Sequence, residues 1–330
     1  MADAYAAWLG PQAWRRDGGD DPVLTLGAAG AFDAMHVFAP CVLFEDGQYR
    51  MYYPGSRGNP DGRNPDGCNP DGCLFRLGHA SSADGVHFRK HPEWPVFEVG
   101  DDAHSVLTPA LLRRGCGQVV REIDRLRLWY SSTDLSGGSG RHTLHQTTSG
   151  DGFTWEAPSP SQLEACYAPS VLKVGRLYRL WYSDVAADPW CVRHGVSDDG
   201  LTWEVDGDPC LVLDQAWEHE RLVYPCVLQP ADDLFVMLYG SYAQMDPMVT
   251  ALGVAVSRDG IAWEKCRHNP VFAPDGAHPW ESHDATSQTV LRLPDGRWRI
   301  WYAARPAPPF VHKYFAIGTA VWDGPGELAP

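Results

Sequence analysis

Residues 168–203 read APSVLKVGRLYRLWYSDVAADPWCVRHGVSDDGLTW. The stretch opens on an apolar run around Pro169, turns at Gly175, continues in an aromatic segment at residues 178–184, and runs through an Asp-Gly turn into LTW. Such segments, broken by glycine and Asp-Gly, read as short antiparallel strands, because Gly accepts positive φ and Asp bonds the backbone beyond it. The same order recurs along the chain. Apolar runs stand at residues 39–44 (APCVLF), 108–113 (TPALLR), 168–173 (APSVLK), 224–229 (YPCVLQ) and 287–292 (SQTVLR). Aromatic segments begin at Tyr49, Leu126, Tyr178, Phe235 and Trp298, and Asp-Gly boxes begin at Ser82, Ser149, Ser197 and Ser257, with a degenerate copy at Val321. Self-similarity of this kind marks a repeat architecture in which each unit is a four-stranded antiparallel meander.

The two ends complement each other. Residues 13–24 (AWRRDGGDDPVL) read as a fourth strand with its proline exit but with no first three strands ahead of it, whereas residues 315–324 stop before a fourth strand. Similar exits follow the other copies at residues 94–97, 208–213 and 269–272. The expectation is an all-β, five-bladed β-propeller over residues 1–330 as one domain, closed by the N-terminal strand completing the last blade. Closure removes the sheet edge that would otherwise invite aggregation. No segment sustains a 3.6-residue period with caps, so helix should be almost absent.

Composition narrows the function. Lys and Arg number 27 against 42 Asp and Glu, a net charge of −15, which disfavours nucleic acid and anionic membrane as partners. The chain lacks the roughly 18 consecutive apolar residues of a membrane span. Residues 1–12 show no secretory leader, and the 9 cysteines form no CxxC pair, so a reduced, cytoplasmic protein is expected. Cys41, Cys166 and Cys226 lie in apolar runs as small buried hydrophobes, and only Cys68 and Cys73 are placed for a local disulfide.

In a meander of this type the start of the first strand and the end of the second share a face, and the Asp-Gly turns lie on the other. The repeated boxes are therefore structural, and chemistry belongs where the copies differ. Counting from Pro40, Pro109, Pro169, Pro225 and Gln288, the position seven residues earlier holds Asp33, Asp102, Gln162, Glu218 and Glu281, which reads as a loop brace. Four and five residues earlier the copies diverge: His36; His104 with Ser105; Glu164 with Ala165; Glu220 with Arg221; His283 with Asp284. Converging carboxylates push one another's pKa values apart and so make an acid and a base from like groups. The ends of the second strands add Arg57, Asp134, Asp184, Tyr242 and Arg305 to this rim. Three Asn-Pro-Asp-Gly turns between Gly58 and Cys73 form a stiff wall. The five-residue spacing of Asp61, Asp66 and Asp71 fits no calcium loop derived from ligand geometry.

The aromatic strands and Ser-x-Asp-Gly-x-x-Trp boxes resemble the five-bladed propeller superfamily of arabinanases, β-xylosidases, invertases and levansucrases. That resemblance implies a glycoside hydrolase using three acids from the first three blades, here Asp33, Asp102 (or Asp101) and Glu164. It also implies a central-channel metal, calcium or another divalent ion, near a last-blade histidine, a role open to His283. The stiff rim suits the pocket to a small glycoside or the end of an oligosaccharide. The residues directly before the pivot positions are Ala39, Thr108, Ala168, Tyr224 and Ser287, with no carboxylate among them. The expected assignment makes Glu164 the general acid, Asp33 the base or nucleophile, and Asp102 or Asp284 the group that sets their pKa values. Glu220 completes the catalytic candidates. His36, His104, Arg221, His283, Arg57, Asp184 and Arg305 are the substrate-binding candidates. One alternative is a lyase, cyclase or isomerase using these histidines and acids or a metal held by His104 and His283. Another is a propeller that binds sugar without turning it over.

Overall fold

The computed structural model describes residues 4–57, 74–101, 104–133, 142–306 and 316–325. The regular structure of these residues is almost all strand, arranged in four hydrogen-bonded sheets, the largest of nine strands. Among the described residues helix is confined to Ala4–Trp8 and a 3-10 turn at Pro279–Glu281. No helix among the described residues is long and apolar enough to cross a membrane.

The third and fourth repeats show the expected order in full. In the third, Cys166–Val174 pairs antiparallel with Leu177–Asp184, which pairs with Cys191–Ser197, which pairs with Glu204–Val205. The fourth runs His219–Ala231, Leu234–Met245, Met248–Ser257 and Trp263–Lys265 in the same way. In the last, Asp284–Arg292, Trp298–Arg305 and Ala316–Trp322 pair in turn, and the outer partner of Ala316–Trp322 comes from the other end of the chain. Arg15 pairs with Val321, Arg16 with Ala320, and Leu24 with Ile317. The proline exits all return to the third strand of their repeat, as Phe97 bridges Leu77, Leu211 bridges Val192 and Phe272 bridges Leu252. Leu24 makes the equivalent contact from the N-terminal side.

The Asp-Gly boxes are built alike. In the second repeat Ser149 Oγ donates to Asp151 Oδ1 (3.0 Å) and accepts from Gly152 N (2.8 Å), while Asp151 Oδ1 accepts from Phe153 N and Thr154 N (both 2.8 Å). The boxes at Ser82, Ser197 and Ser257 repeat these bonds. Each glycine of the four sits at a φ between +73° and +84°, a region open to Gly at little cost.

These turns also latch one repeat to the next. The aromatic of a second strand donates to the glycine carbonyl of the following box: Tyr52 to Gly152 (3.1 Å), Trp129 to Gly200 (3.0 Å) and Trp181 to Gly260 (2.8 Å). Trp301 of the last repeat donates to Gly85 of the first (2.8 Å). All four aromatics are fully buried, and their apolar surface supplies much of the contact between repeats. The fourth repeat has Leu238 at this position and makes no such bond.

All seven cysteines among the described residues are free thiols; Cys41, Cys166 and Cys226 are buried, and the Cys68–Cys73 pairing lies outside the described residues.

Candidate functional site

The first strands of all five repeats converge on one narrow cavity of about 40 Å³, lined by Ala39, Pro40, Thr108, Pro109, Ala168, Pro169, Tyr224, Pro225, Ser287 and Gln288. The residue before each pivot position, Ala39, Thr108, Ala168, Tyr224 and Ser287, has a φ between +41° and +54°. A left-handed non-glycine residue costs about 1 kcal/mol or more, so five at equivalent positions mark a conformation that the surrounding structure imposes. Serine hydroxyls help to hold it, as Ser287 Oγ accepts from Ala39 N and Ser131 Oγ from Ala168 N (both 3.1 Å).

A cavity of this size is too small for a sugar ring. The mouth above it is walled by aromatics. Tyr167 and Tyr224 share a hydroxyl hydrogen bond of 2.8 Å, His142 lies 4.4 Å from Tyr167 between ring centroids, and Trp190 lies 6.2 Å from Tyr167. The Arg221 guanidinium lies over Trp190 (4.4 Å) and Tyr242 (5.1 Å), and its Nε is buried with no partner. Burial raises the pKa of both Tyr224 and Tyr242, so these phenols stay protonated and act as donors. Tyr242 also feels the charges of Arg221, Glu220, Asp284 and Arg305.

The acids expected from sequence fall into two kinds. Asp33, Asp184 and Asp284 are buried and committed. Asp33 accepts from Tyr53 Oη (3.0 Å) and pairs with Lys90. Asp184 accepts from Ala186 N (2.9 Å) and Arg193 Nε (2.6 Å). Asp284 accepts from Thr250 N (3.0 Å), Thr250 Oγ1 (3.1 Å) and Arg305 Nε. Glu164 and Glu220 are exposed. Glu164 sits in a two-residue strand opposite Thr143 and accepts only a 3.3 Å bond from Ser161. Glu220 lies 3.6 Å from Arg221, and its carbonyl accepts from Trp190 N (3.2 Å). Asp102 and Asp134, like Asp61, Asp66 and Asp71, lie outside the described residues.

Asp33 belongs to a repeated arrangement. Glu218 accepts from Tyr239 Oη (2.7 Å) and Lys265 Nζ (2.7 Å), and Glu281 accepts from Tyr302 Oη and Arg16 Nε. In each case the carboxylate joins a second-strand tyrosine to a fourth-strand cation, and the cations stand opposite Ala80, Ala255 and Ala320.

The three histidines have different surroundings. His36 is buried with its ring 5.7 Å from Phe75. His104 is half-exposed and held by Asp101 at 2.7 Å, where His145 feels both it and Glu164. His283 is buried, and its backbone N donates to Arg305 O (3.2 Å). Arg57 is exposed at the end of its strand. Among the described residues a single set of three ligand-bearing side chains lies within 4.8 Å, Asp275, His278 and Glu281, and Glu281 is already taken by Arg16 and Tyr302. His104 and His283 are not members of that set.

Tyr167, Trp190, Tyr224 and His142 were not singled out from sequence as site residues. Tyr224 carried a usable signal, since it is the one aromatic among five residues that are otherwise small. Trp190 and His142 follow second-strand loops that differ in every repeat, so no alignment of the copies exposes them.

No protein-family profile matches the chain. It is 25% identical over 234 residues to an uncharacterized protein of Mycobacterium tuberculosis, covering 67% of this chain and 72% of that one. It is 28% identical over 123 residues to an A type blood N-acetyl-α-D-galactosamine deacetylase of Flavonifractor plautii, covering 33% of this chain but 15% of that one. A glycosyl hydrolase from Bacteroides ovatus superposes with a TM-score of 0.69 at 15% identity, over 95% of this chain and 94% of the other. A structure from the GH130 family of mannoside phosphorylases, which contains glycoside hydrolases targeting β-1,2 mannosidic linkages in Candida mannan, gives 0.68 at 14% identity over 94% of both chains. Identities this low establish a shared fold.

Proposed function

We propose that the chain is a carbohydrate-active hydrolase, a five-bladed propeller forming one domain, whose ring is closed by the N-terminal strand on the last repeat. Its substrate, a small glycoside or the end of an oligosaccharide, rests on the aromatic mouth of the channel. The observation that carries this reading is the convergence of Tyr167, Trp190, Arg221, Tyr224 and Tyr242 above a cavity too narrow for a sugar. Aromatic faces cover the apolar face of a pyranose or furanose, and the neutral phenols and the guanidinium supply donors to its hydroxyls. Hydrolysis needs two carboxylates, one protonating the leaving oxygen and one serving as base or nucleophile. Glu164 as acid and Glu220 as its partner are favoured, because they are exposed one repeat apart at the same register, five residues before Pro169 and Pro225. Asp33 and Asp284 then act as positioning residues through Tyr53 and Arg305.

A panel of aryl furanosides and pyranosides tests this. On any substrate turned over, Glu164→Gln and Glu220→Gln should each lower kcat by about 100-fold or more. Full activity in both variants would remove the assignment. A second reading, hydrolysis of an N-acyl group on a sugar, is supported by the partial match to the deacetylase. It is distinguished by acetate release from N-acetylhexosamine glycosides with the glycosidic bond left intact.

A further inference from the structure

Arg113 lies inside the channel, four positions beyond Pro109, and is 7% exposed. Its Nη2 donates to Val42 O (2.7 Å) and Thr289 Oγ1 (2.8 Å), with Cys41 Sγ at 3.5 Å. All of these partners are neutral. The other two buried arginines among the described residues, Arg299 and Arg305, pair with Asp17 and Asp284. A buried guanidinium held only by neutral acceptors keeps its desolvation cost without a counter-charge to offset it.

Beside Arg113 is a cavity of about 50 Å³, lined by residues of all five first strands, including Cys41, Ser170, Cys226, Gln288 and Thr289. Ser170 Oγ accepts from Val227 N (3.0 Å) and Thr289 Oγ1 accepts from Arg113, so both hydroxyl hydrogens remain to be donated. Burial pushes the Cys226 thiol up, so it stays protonated and is no counter-ion. The Gln288 carboxamide is oriented by two donations from Nε2, to Tyr224 O (2.8 Å) and Leu238 O (3.0 Å), which leave Oε1 buried without a partner.

We propose that the channel binds one small monovalent anion, a halide of chloride size, against Arg113, with the hydroxyls of Ser170 and Thr289 as neutral donors. A water bridges the anion to Gln288 Oε1. Water alone satisfies hydrogen bonds but leaves the charge, whereas a halide supplies both an acceptor and the missing negative charge. A single guanidinium with neutral hydroxyl donors matches one negative charge, which favours a monovalent anion over a divalent one.

The test uses the intact protein. Crystals soaked in sodium bromide should show an anomalous peak beside Arg113. Thermal unfolding in chloride or bromide should lie about 2 °C above that in gluconate at matched ionic strength. Arg113→Met should abolish the difference between the salts. A wild-type channel with ordered water and no bromide, together with equal unfolding temperatures in halide and gluconate, overturns the proposal. The bromide measurement needs no variant and so stands even if Arg113→Met fails to fold.

Discussion

Glu281 is fully buried, accepts from Tyr302 Oη, and depends on Arg16, a residue 265 positions away, for its counter-charge. The same three-part brace recurs as Asp33 with Tyr53 and Lys90 and as Glu218 with Tyr239 and Lys265. Removing one partner of a buried ion pair costs more than the pair contributes, because the remaining charge is stranded. Arg16→Met should therefore destabilise the protein by about 3 kcal/mol, measured by denaturant unfolding at pH 7. The variant also has a pH signature. Burial already raises the Glu281 pKa against the opposing Tyr302 and Arg16 contacts, and loss of Arg16 raises it further. The penalty is thus fully present above the folded-state pKa and shrinks as pH falls through it toward the unfolded value near 4.5, below which the carboxyl is neutral in both states. A deficit that stays constant from pH 7 to pH 4 would exclude this account. The acid seven residues before four of the five pivots was legible in the sequence as a recurring brace, and three of those four, Asp33, Glu218 and Glu281, form it. The aromatic mouth was not, because Trp190 and His142 enter from loops of unequal length whose paths only the assembled strands define.

Strands here are short, and the turns joining the outer ones carry much of their order. Asp199 accepts from Thr202 N and Leu201 N, and these bonds hold its carboxyl below the usual range. Asp151, bonded by Thr154 N and Phe153 N, is lowered to about 2. A depressed carboxylate contributes stability that is present above the unfolded pKa near 4 and is lost as pH falls through the folded value. Asp199→Ala should cost about 1 to 2 kcal/mol, from two turn bonds. The next residue is a harsher site. A Cβ on Gly200 would lie 2.8 Å from both Trp129 and Arg127 at a φ of +73°, so Gly200→Ala combines backbone strain with displacement of a buried Trp. We expect a loss of about 2 kcal/mol or more, read as a fall in thermal midpoint. The larger loss should belong to the glycine substitution, and the reverse order would mean that the latch to Trp129 contributes little. The Asp-Gly boxes were plain in sequence as turns. Their second role, receiving a bond from the preceding repeat, depends on how the repeats sit side by side and was not legible.

At the scale of the whole molecule two properties can be checked without knowing a substrate. His79, His145 and His194 are kept neutral chiefly by burial, His79 with a pKa lowered to about 4. Below the unfolded pKa near 6.5 the unfolded chain takes up protons that the folded one refuses, so stability should fall steadily from pH 6.5 to pH 4. His79→Gln should flatten part of that slope in thermal unfolding. The second property is how the two ends of the chain meet. Residues 13–24 supply an outer strand to Ala316–Trp322, the cation of the last brace, and the Leu24 exit contact, each in the register that the other repeats use internally. Trp8 adds ring contacts at 4.9 Å to both Trp298 and Trp322. If this segment closes a ring, its loss should act on both sides of the seam. Deleting residues 1–26 would uncover the edge of Ala316–Trp322, a row of unpaired backbone groups able to recruit another chain, and would strand Glu281. The expected result is soluble aggregates by light scattering and a thermal midpoint lowered by about 10 °C or more, given that roughly 1 kcal/mol moves a domain of this size by 2 to 4 °C. Adding the deleted segment back as a synthetic peptide should restore monodispersity, because the pairing is intermolecular as readily as intramolecular. A truncated protein that stays monomeric with an unchanged midpoint would mean that the last repeat is complete without its N-terminal strand.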